Sequence, residues 1–450
     1  MSLPCLDRRP IDAPRLTCGP GTSWHRAGAL ALLVLALPSA AAAQVLASPR
    51  AAATEVALAI DEHYFDPAEG RRVRLELETA VAAGAFDRIT DARVLAETLT
   101  ERLRPLDGHF RVDWRPAPAP AVDAVSTPPP QRPSFRETAR RINYGFSSAR
   151  TLPGNIGVLE IRRFIPIDFA DPRTPARLAA DAALSMVSDA DAVIIDLREN
   201  GGGDPTMVGY LASAFLPANA DVYNTFHARS GVSSEQPVEP HPSPRPDTPL
   251  FILVSARTAS AAEAFAYTLQ AAGRAAVIGQ VTAGAANPGG PVPLTDGLSV
   301  FVPTGSPRNP LTRTNWEGVG VGPDVETPLD TSWTEAYRRA LLAAADRQPV
   351  AATRQEIAWV LESLEAPAAV PSLTAFTGAF GALAVTATDD GLTVQDRRRP
   401  PWRLSPMGGD VFGDRADPTR RIRFLREQDS IVALEVIDPY GSATRYSRRP

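Results

Sequence analysis

Ser260 follows an unbroken apolar run. Leu250-Phe-Ile-Leu-Val254 reads as a buried strand, and Thr258-Ala-Ser-Ala-Ala-Glu263 as a turn that opens an alanine-rich helix. A serine at that point has its hydroxyl near the positive end of a helix dipole, where a developing oxyanion is stabilised. A serine hydroxyl is a weak nucleophile until something takes its proton. The chain has no lysine, since all 46 basic residues are arginine, so the acceptor falls to a histidine. Beyond residue 43 there are four candidates: His63, His109, His227 and His241. His63, in an aromatic-flanked helix, reads as structural, while His227 and His241 lie in or beside a proline-rich insertion that would fix a base poorly. His109, in Asp107-Gly-His-Phe-Arg-Val112, sits between an Asp-Gly turn and a strand. By elimination it is the best base.

Two further stretches could complete such chemistry. Asp196-Leu-Arg-Glu-Asn-Gly-Gly-Gly203 directly follows the buried run Val193-Ile-Ile195. Successive glycines at a strand end let backbone N–H groups face a cleft unobstructed, as an oxyanion hole requires, with the Ala261 amide as a natural second donor. A phosphate-binding loop or a plain tight turn would look the same locally, but the Walker pattern needs a Gly-Lys pair that is missing here. In Asn315-Trp-Glu-Gly-Val-Gly-Val-Gly-Pro-Asp324, Glu317 could orient an imidazole or stabilise an imidazolium. Equally, it could be a surface charge beside a packed tryptophan.

The elements that must hold these residues fall into distinct textures. Residues 44–114 read as a bundle of amphipathic helices, with stripes Val56/Ala59/Ile60/Tyr64, Val73/Leu77/Val81 and Val94/Leu95/Leu99/Leu103. Residues 115–135 hold seven prolines and read as a linker. Over 136–348, the runs Ile156–Ile161, Ala192–Leu197, Leu250–Val254 and Ala275–Gly279 alternate with helical stretches, the pattern of an α/β domain with buried strands. Residues 230–248 are a second proline-rich stretch, expected to be exposed. From 349 a helix (Arg354–Leu364) leads into Leu383/Val385, Leu392/Val394, Ile422/Phe424 and Val432/Leu434/Val436, the alternation of half-buried strands, so 349–450 reads as a small β-rich domain.

Composition narrows the classes. The formal charge is -5, and the mixed, mildly acidic chain argues against nucleic acid as the main partner. His25-Arg26, the apolar stretch Ala27–Leu37 and Ser39–Ala43 have the form of a secretory leader over residues 1–43, too short in its apolar part to span a bilayer comfortably. Export to the periplasm or beyond, with no membrane span after leader removal, is the expectation. Both cysteines, Cys5 and Cys18, precede the leader's end, so the mature chain would lack thiol chemistry, disulfides and cysteine-based metal sites.

Taken together, Asn143-Tyr-Gly-Phe146, Gly154-Asn-Ile-Gly-Val-Leu159, Ile194–Gly203, Thr258–Glu263, Asn287-Pro-Gly-Gly290 and Asn315–Val321 resemble, in order, the tail-specific (carboxyl-terminal processing) serine protease family. The resemblance spans roughly residues 52–345 and is nearer to the branch with the interphotoreceptor retinoid-binding protein repeats and the tricorn core. It implies a ClpP/crotonase-like α/β fold with an N-terminal helical bundle, and a lipocalin-like C-terminal appendage. It further implies a serine peptidase acting on peptide or protein substrates, without cofactor or metal. Ser260 would be the nucleophile, His109 the base and Glu317 the orienting acid, with Gly201, Gly202 and Ala261 around the oxyanion. The lysine-dyad branch is ruled out by Gly284-Ala-Ala-Asn287 where its lysine would fall, and Gly108 stands where a tricorn-type relay serine would. Two alternatives share the fold: a non-catalytic lipid- or retinoid-binding module, and an esterase using the same three residues.

Overall fold

The computed structural model describes residues 48–115, 133–365, 372–396 and 399–450. The leader-like segment with both cysteines, and most of the 115–135 proline-rich stretch, lie outside the described residues.

Helices α1 (Pro49–His63), α2 (Pro67–Ala82) and α3 (Ala92–Leu103) start in the same way. Ser48, Asp66 and Asp91 accept their first free amides, which would otherwise lack partners. The expected stripes face inward, except that Val94 is 48% exposed and Leu95 takes the core position instead. After α3 the chain turns through Asp107-Gly108 into β1 (Arg111–Trp114).

The α/β part runs α4 (Phe135–Arg141), β2 (Phe146–Leu152), β3 (Ile156–Ile161), α5 (Pro175–Met186), β4 (Ala192–Asp196) and α6 (Pro205–Ser213). It continues through β5 (Thr225–Ala228), β6 (Gly231–Ser234), β7 (Leu250–Val254), α7 (Ala261–Ala271) and β8 (Ala276–Gly279). Then come β9 (Gly289–Pro293), β10 (Leu298–Pro303), β11 (Gly305–Arg308), β12 (Val325–Glu326), α8 (Ser332–Arg347) and α9 (Ala351–Ser363). Six strands form one sheet in the order β12-β8-β7-β4-β3-β2, parallel except for the edge strand β2. Both faces are covered, α5–α7 on one and α8–α9 on the other, which is why its central strands are apolar without alternation.

The helical layer does not close on itself. Its core continues into Leu298, Val300 and Val302 of β10, because β1 pairs antiparallel with β10, which pairs with β9. The N-terminal helices and the α/β part are thus stitched by strands from both, and the His109 turn is carried on that seam. The 230–248 stretch is mostly exposed, although β5 and β6 form a hairpin whose return places Glu235 at 3% exposure.

The C-terminal part is an eight-stranded antiparallel meander from β13 (Gly378–Phe380) to β20 (Ala443–Ser447). Gly381 donates to the Ser447 carbonyl and Arg449 to that of Ala379, so first and last strands meet and the sheet closes into a barrel. Phe376, Phe380, Phe412 and Phe424 fill its centre edge-to-face. In β19 (Ser430–Ile437) the expected Val432/Leu434/Val436 alternation is broken. Leu425 pairs with Ala433 and Arg426 with Ile431, leaving Val432 as the extra residue of a bulge and turning Ile431 inward.

Val254 and Gly279 are register partners at the ends of β7 and β8, and a Cβ at Gly279 (φ +131°) would lie 2.0 Å from the Val254 oxygen. Gly279→Ala should lose about 2–4 kcal/mol, read from urea unfolding midpoints with an unchanged m value.

Candidate active site

Ser260 caps α7 with φ +54° and ψ −122°, a backbone conformation that non-glycine residues rarely adopt. Sharp turns between strand and helix expose a side chain at the sheet's carboxyl edge in this way. Glu263 holds the turn. Fully buried, its Oε2 accepts from the Ser260 amide at 2.7 Å and from Ala285 at 2.9 Å, and its Oε1 from the Thr282 hydroxyl at 2.5 Å and from Gly284 at 2.6 Å. Ser-x-x-Glu ahead of an apolar helix is the capping-box signature, so this residue was legible in the sequence and passed over.

The glycine loop after β4 packs directly under the serine. Thr258 Oγ1 donates to the Leu197 carbonyl at 2.8 Å, and the Ala259 amide to that of Asn200 at 3.1 Å. A Cβ on Gly202 (φ +105°) would sit 2.8 Å from the Ser260 Cβ, so only glycine lets the two loops approach. The expectation for Gly202 as a donor needs correcting, because its N–H is already given to Asn200 Oδ1 at 2.8 Å. Its part is steric. The amides of Ala261, Gly201 and Gly203 have no hydrogen-bond acceptor among the described residues.

His109 and Glu317 are brought together. Nδ1 of His109 lies 3.0 Å from Glu317 Oε1, with no intervening serine, and Glu317 Oε2 accepts the amides of Ala286 and Asn287, each at 2.9 Å. The ring stacks on Phe301 of β10. A second carboxylate, not singled out from the sequence although it opens the quoted motif, touches the same nitrogen: Asp107 Oδ1 at 3.1 Å. Asp107, and then Glu317, push the His109 pKa up to about 10 against the effect of its burial. No hydrogen bond joins His109 to the Ser260 hydroxyl, and Nε2 of the ring is unpartnered among the described residues. His63 ends α1, His227 bonds Thr225 on the exposed hairpin, and His241 packs against Tyr210.

Residues 155–327 match the model of peptidase family S41. This domain belongs to peptidase family S41. The chain thereby carries a serine-type peptidase domain. Solved structures overlap it loosely. A lipoprotein from Streptococcus agalactiae is 16% identical, with 65% of this chain and 96% of that one covered at a TM-score of 0.43. A photosystem II D1 C-terminal processing protease is 19% identical over 63% and 94%, at 0.40. The tricorn protease is 17% identical over 47% and 18%, at 0.26. At these scores the overlaps assign nothing to individual residues of the S41 domain.

Beside Ser260 the S41 domain has a cavity of about 300 Å³, walled by Phe226, Ala264, Ala286, Pro288 and Trp316 among others. Ala286 therefore borders the cavity with its side and holds Glu317 with its amide. The donor atoms of Asp107, His109 and Glu317 lie within 4.8 Å of one another, a set that invites a cation. Zinc ligands about 2.0–2.2 Å from a tetrahedral ion would stand roughly 3.4 Å apart. The contacts of 3.0 and 3.1 Å are ordinary hydrogen-bond distances.

Glu235, on the cavity wall, has Oε2 bonded by Asn224 Nδ2 at 2.8 Å while Oε1 has no partner among the described residues. Burial pushes its pKa from 4.5 up to about 8, only partly offset by Asn224. A folded-state value above the unfolded one means stability is greatest while the group is protonated in both states, and is lost as pH rises from about 4.5 to 8. Glu235→Gln should remove that loss. Thermal unfolding of the two proteins at pH 4.5 and 8 should give curves that diverge at the higher pH, the variant being the more stable.

Proposed function

We propose that this chain is an exported serine peptidase in which Ser260, His109 and Glu317 work as a triad on peptide or protein substrates. The observation that carries the proposal is Glu317: anchored by the amides of the loop that walls the Ser260 cavity, it meets His109 Nδ1 at 3.0 Å and leaves Nε2 free. That is the polarity a triad needs, one ring nitrogen on a carboxylate and the other open to the nucleophile.

In this reading Ser260 Oγ attacks the substrate carbonyl while His109 Nε2 takes its proton. Glu317 stabilises the imidazolium that forms. The amide of Ala261, with that of Gly201 or Gly203, holds the oxyanion. The imidazolium then protonates the leaving amine, and water repeats the cycle on the acyl-enzyme. Ser260 and His109 stand on opposite sides of the seam between helical layer and sheet, and such contacts commonly tighten only when substrate is bound. The direct Glu317–His109 contact supports a triad without the relay serine of the tricorn type. No described helix is long and apolar enough to cross a membrane, and the leader-like residues 1–43 support export.

Ser260→Ala should lose all fluorophosphonate labelling and peptidase activity while keeping its melting temperature; a wild-type protein that resists labelling would sink the triad. His109→Gln should lower kcat/KM by at least about a thousandfold, and substitution of His63, His227 or His241 by less than about threefold. Because the base must be neutral to act, kcat/KM should climb about tenfold per pH unit until His109 loses its proton near 10. Protein recovered from the periplasm should begin after Ala43 when sequenced from its N-terminus.

A further inference from the structure

Asp107 lies two residues from the base, on the same turn, and is 5% exposed at its side chain. Each of its oxygens is used. Oδ1 accepts the His109 backbone amide at 2.8 Å and faces ring Nδ1 at 3.1 Å, while Oδ2 accepts the Tyr64 hydroxyl at 2.9 Å. Tyr64 is itself buried at the end of α1, edged against Phe110, and its carbonyl is gripped by the Arg229 guanidinium at 2.6 Å. The carboxylate is thus locked from three sides and cannot rotate away from the ring.

We propose that Asp107 is a positioning residue for His109, holding Nδ1 protonated and the ring oriented independently of Glu317. The inference rests on the triad reading. Its force comes from where the two carboxylates originate. Glu317 arrives from a turn more than two hundred residues away, on the other side of the β1–β10 seam. Asp107 travels with the histidine. It supplies, from the same turn, an anion that fixes the tautomer with Nε2 bare, and Glu317 adds a second from the 315–321 turn. One N–H then faces two acceptors, so neither contact is redundant: the first orients, the second completes the site.

The charged and titratable groups around the ring are few. Asp107 flanks it from its own turn and Glu317 from the 315–321 turn, while Phe301 of β10 offers no charge. Behind Asp107 stands Tyr64, with Asp66 and Glu69 of α2 adding negative potential to that hydroxyl. Burial works against the charge of Asp107, but its contacts with His109 and Tyr64 outweigh this and keep it below the usual carboxylate range. It is therefore ionised throughout the pH range in which the imidazole titrates.

The test compares Asp107→Asn with wild type in two ways. Ring titration of His109 by NMR, in the full mature chain, should shift to lower pH by more than one unit, and the rise of fluorophosphonate labelling with pH should shift by the same amount. The rate on the high-pH plateau should fall about tenfold, from looser ring orientation. Tyr64→Phe should give a smaller shift in the same direction, which guards against an Asn variant that fails to fold. Superimposable titrations in wild type and either folded variant would overturn the role of Asp107 alone. Labelling that survives His109→Gln would overturn the triad and this inference together.

Discussion

A single buried carboxylate holds the candidate site together. Glu263 accepts four donors: one from the strained Ser260 turn and three from residues 282–285. A buried charge is tolerable only when its hydrogen-bonding capacity is filled, and here it is filled by backbone and hydroxyl groups rather than by a cation. The consequences run outward. The same Thr282 hydroxyl accepts the Val321 amide, and the Gly284 carbonyl accepts the Gly318 amide. The turn that carries Glu317 is therefore braced by the loop that Glu263 organises. The geometry of the Ser260 turn and that of the Glu317 turn have one common support.

The site's electrostatics follow from a chain without lysine. The His109 imidazole is set between two carboxylates, Asp107 and Glu317. This gives a firmly oriented ring at the cost of basicity pushed up to about 10, so the protonated form dominates near neutrality. A neutral-pH peptidase needs its base unprotonated before attack. In the proposed triad such a base would act best under alkaline conditions. Glu235 shows the opposite influence nearby, a carboxyl driven towards neutrality by burial, so the cavity beside Ser260 presents an almost uncharged wall.

The parts legible in the sequence were those with local causes. The four apolar runs became the central strands because strands buried on both faces need no alternation, and Ser48, Asp66 and Asp91 mark helix starts through their own side chains. The glycine run announced close approach, though not which amides stay free. Gly202 spends its N–H on Asn200, a bond that forms only when the loop folds back on itself. The helical layer was read as a self-contained bundle because periodicity reveals a buried face and not what covers it. Its cover turned out to be β9 and β10, nearly two hundred residues further along. Val432 was misplaced for a related reason: a bulge shifts the two-residue period, and nothing local to that strand marks it.

Residue types alone restricted the chemistry of this chain. A helix-capping serine, four histidines beyond residue 43 and no lysine leave few routes to an activated hydroxyl, and that restriction comes from the side-chain inventory whatever the fold. Tertiary structure decided the partners. Whether Glu317 faced His109 or solvent depended on the pairing of β1 with β10, whereas the contact of Asp107 with the ring is local to its own turn. That pairing carries the His109 turn to the sheet's edge, and contacts between residues so far apart in sequence leave no periodic trace along the chain.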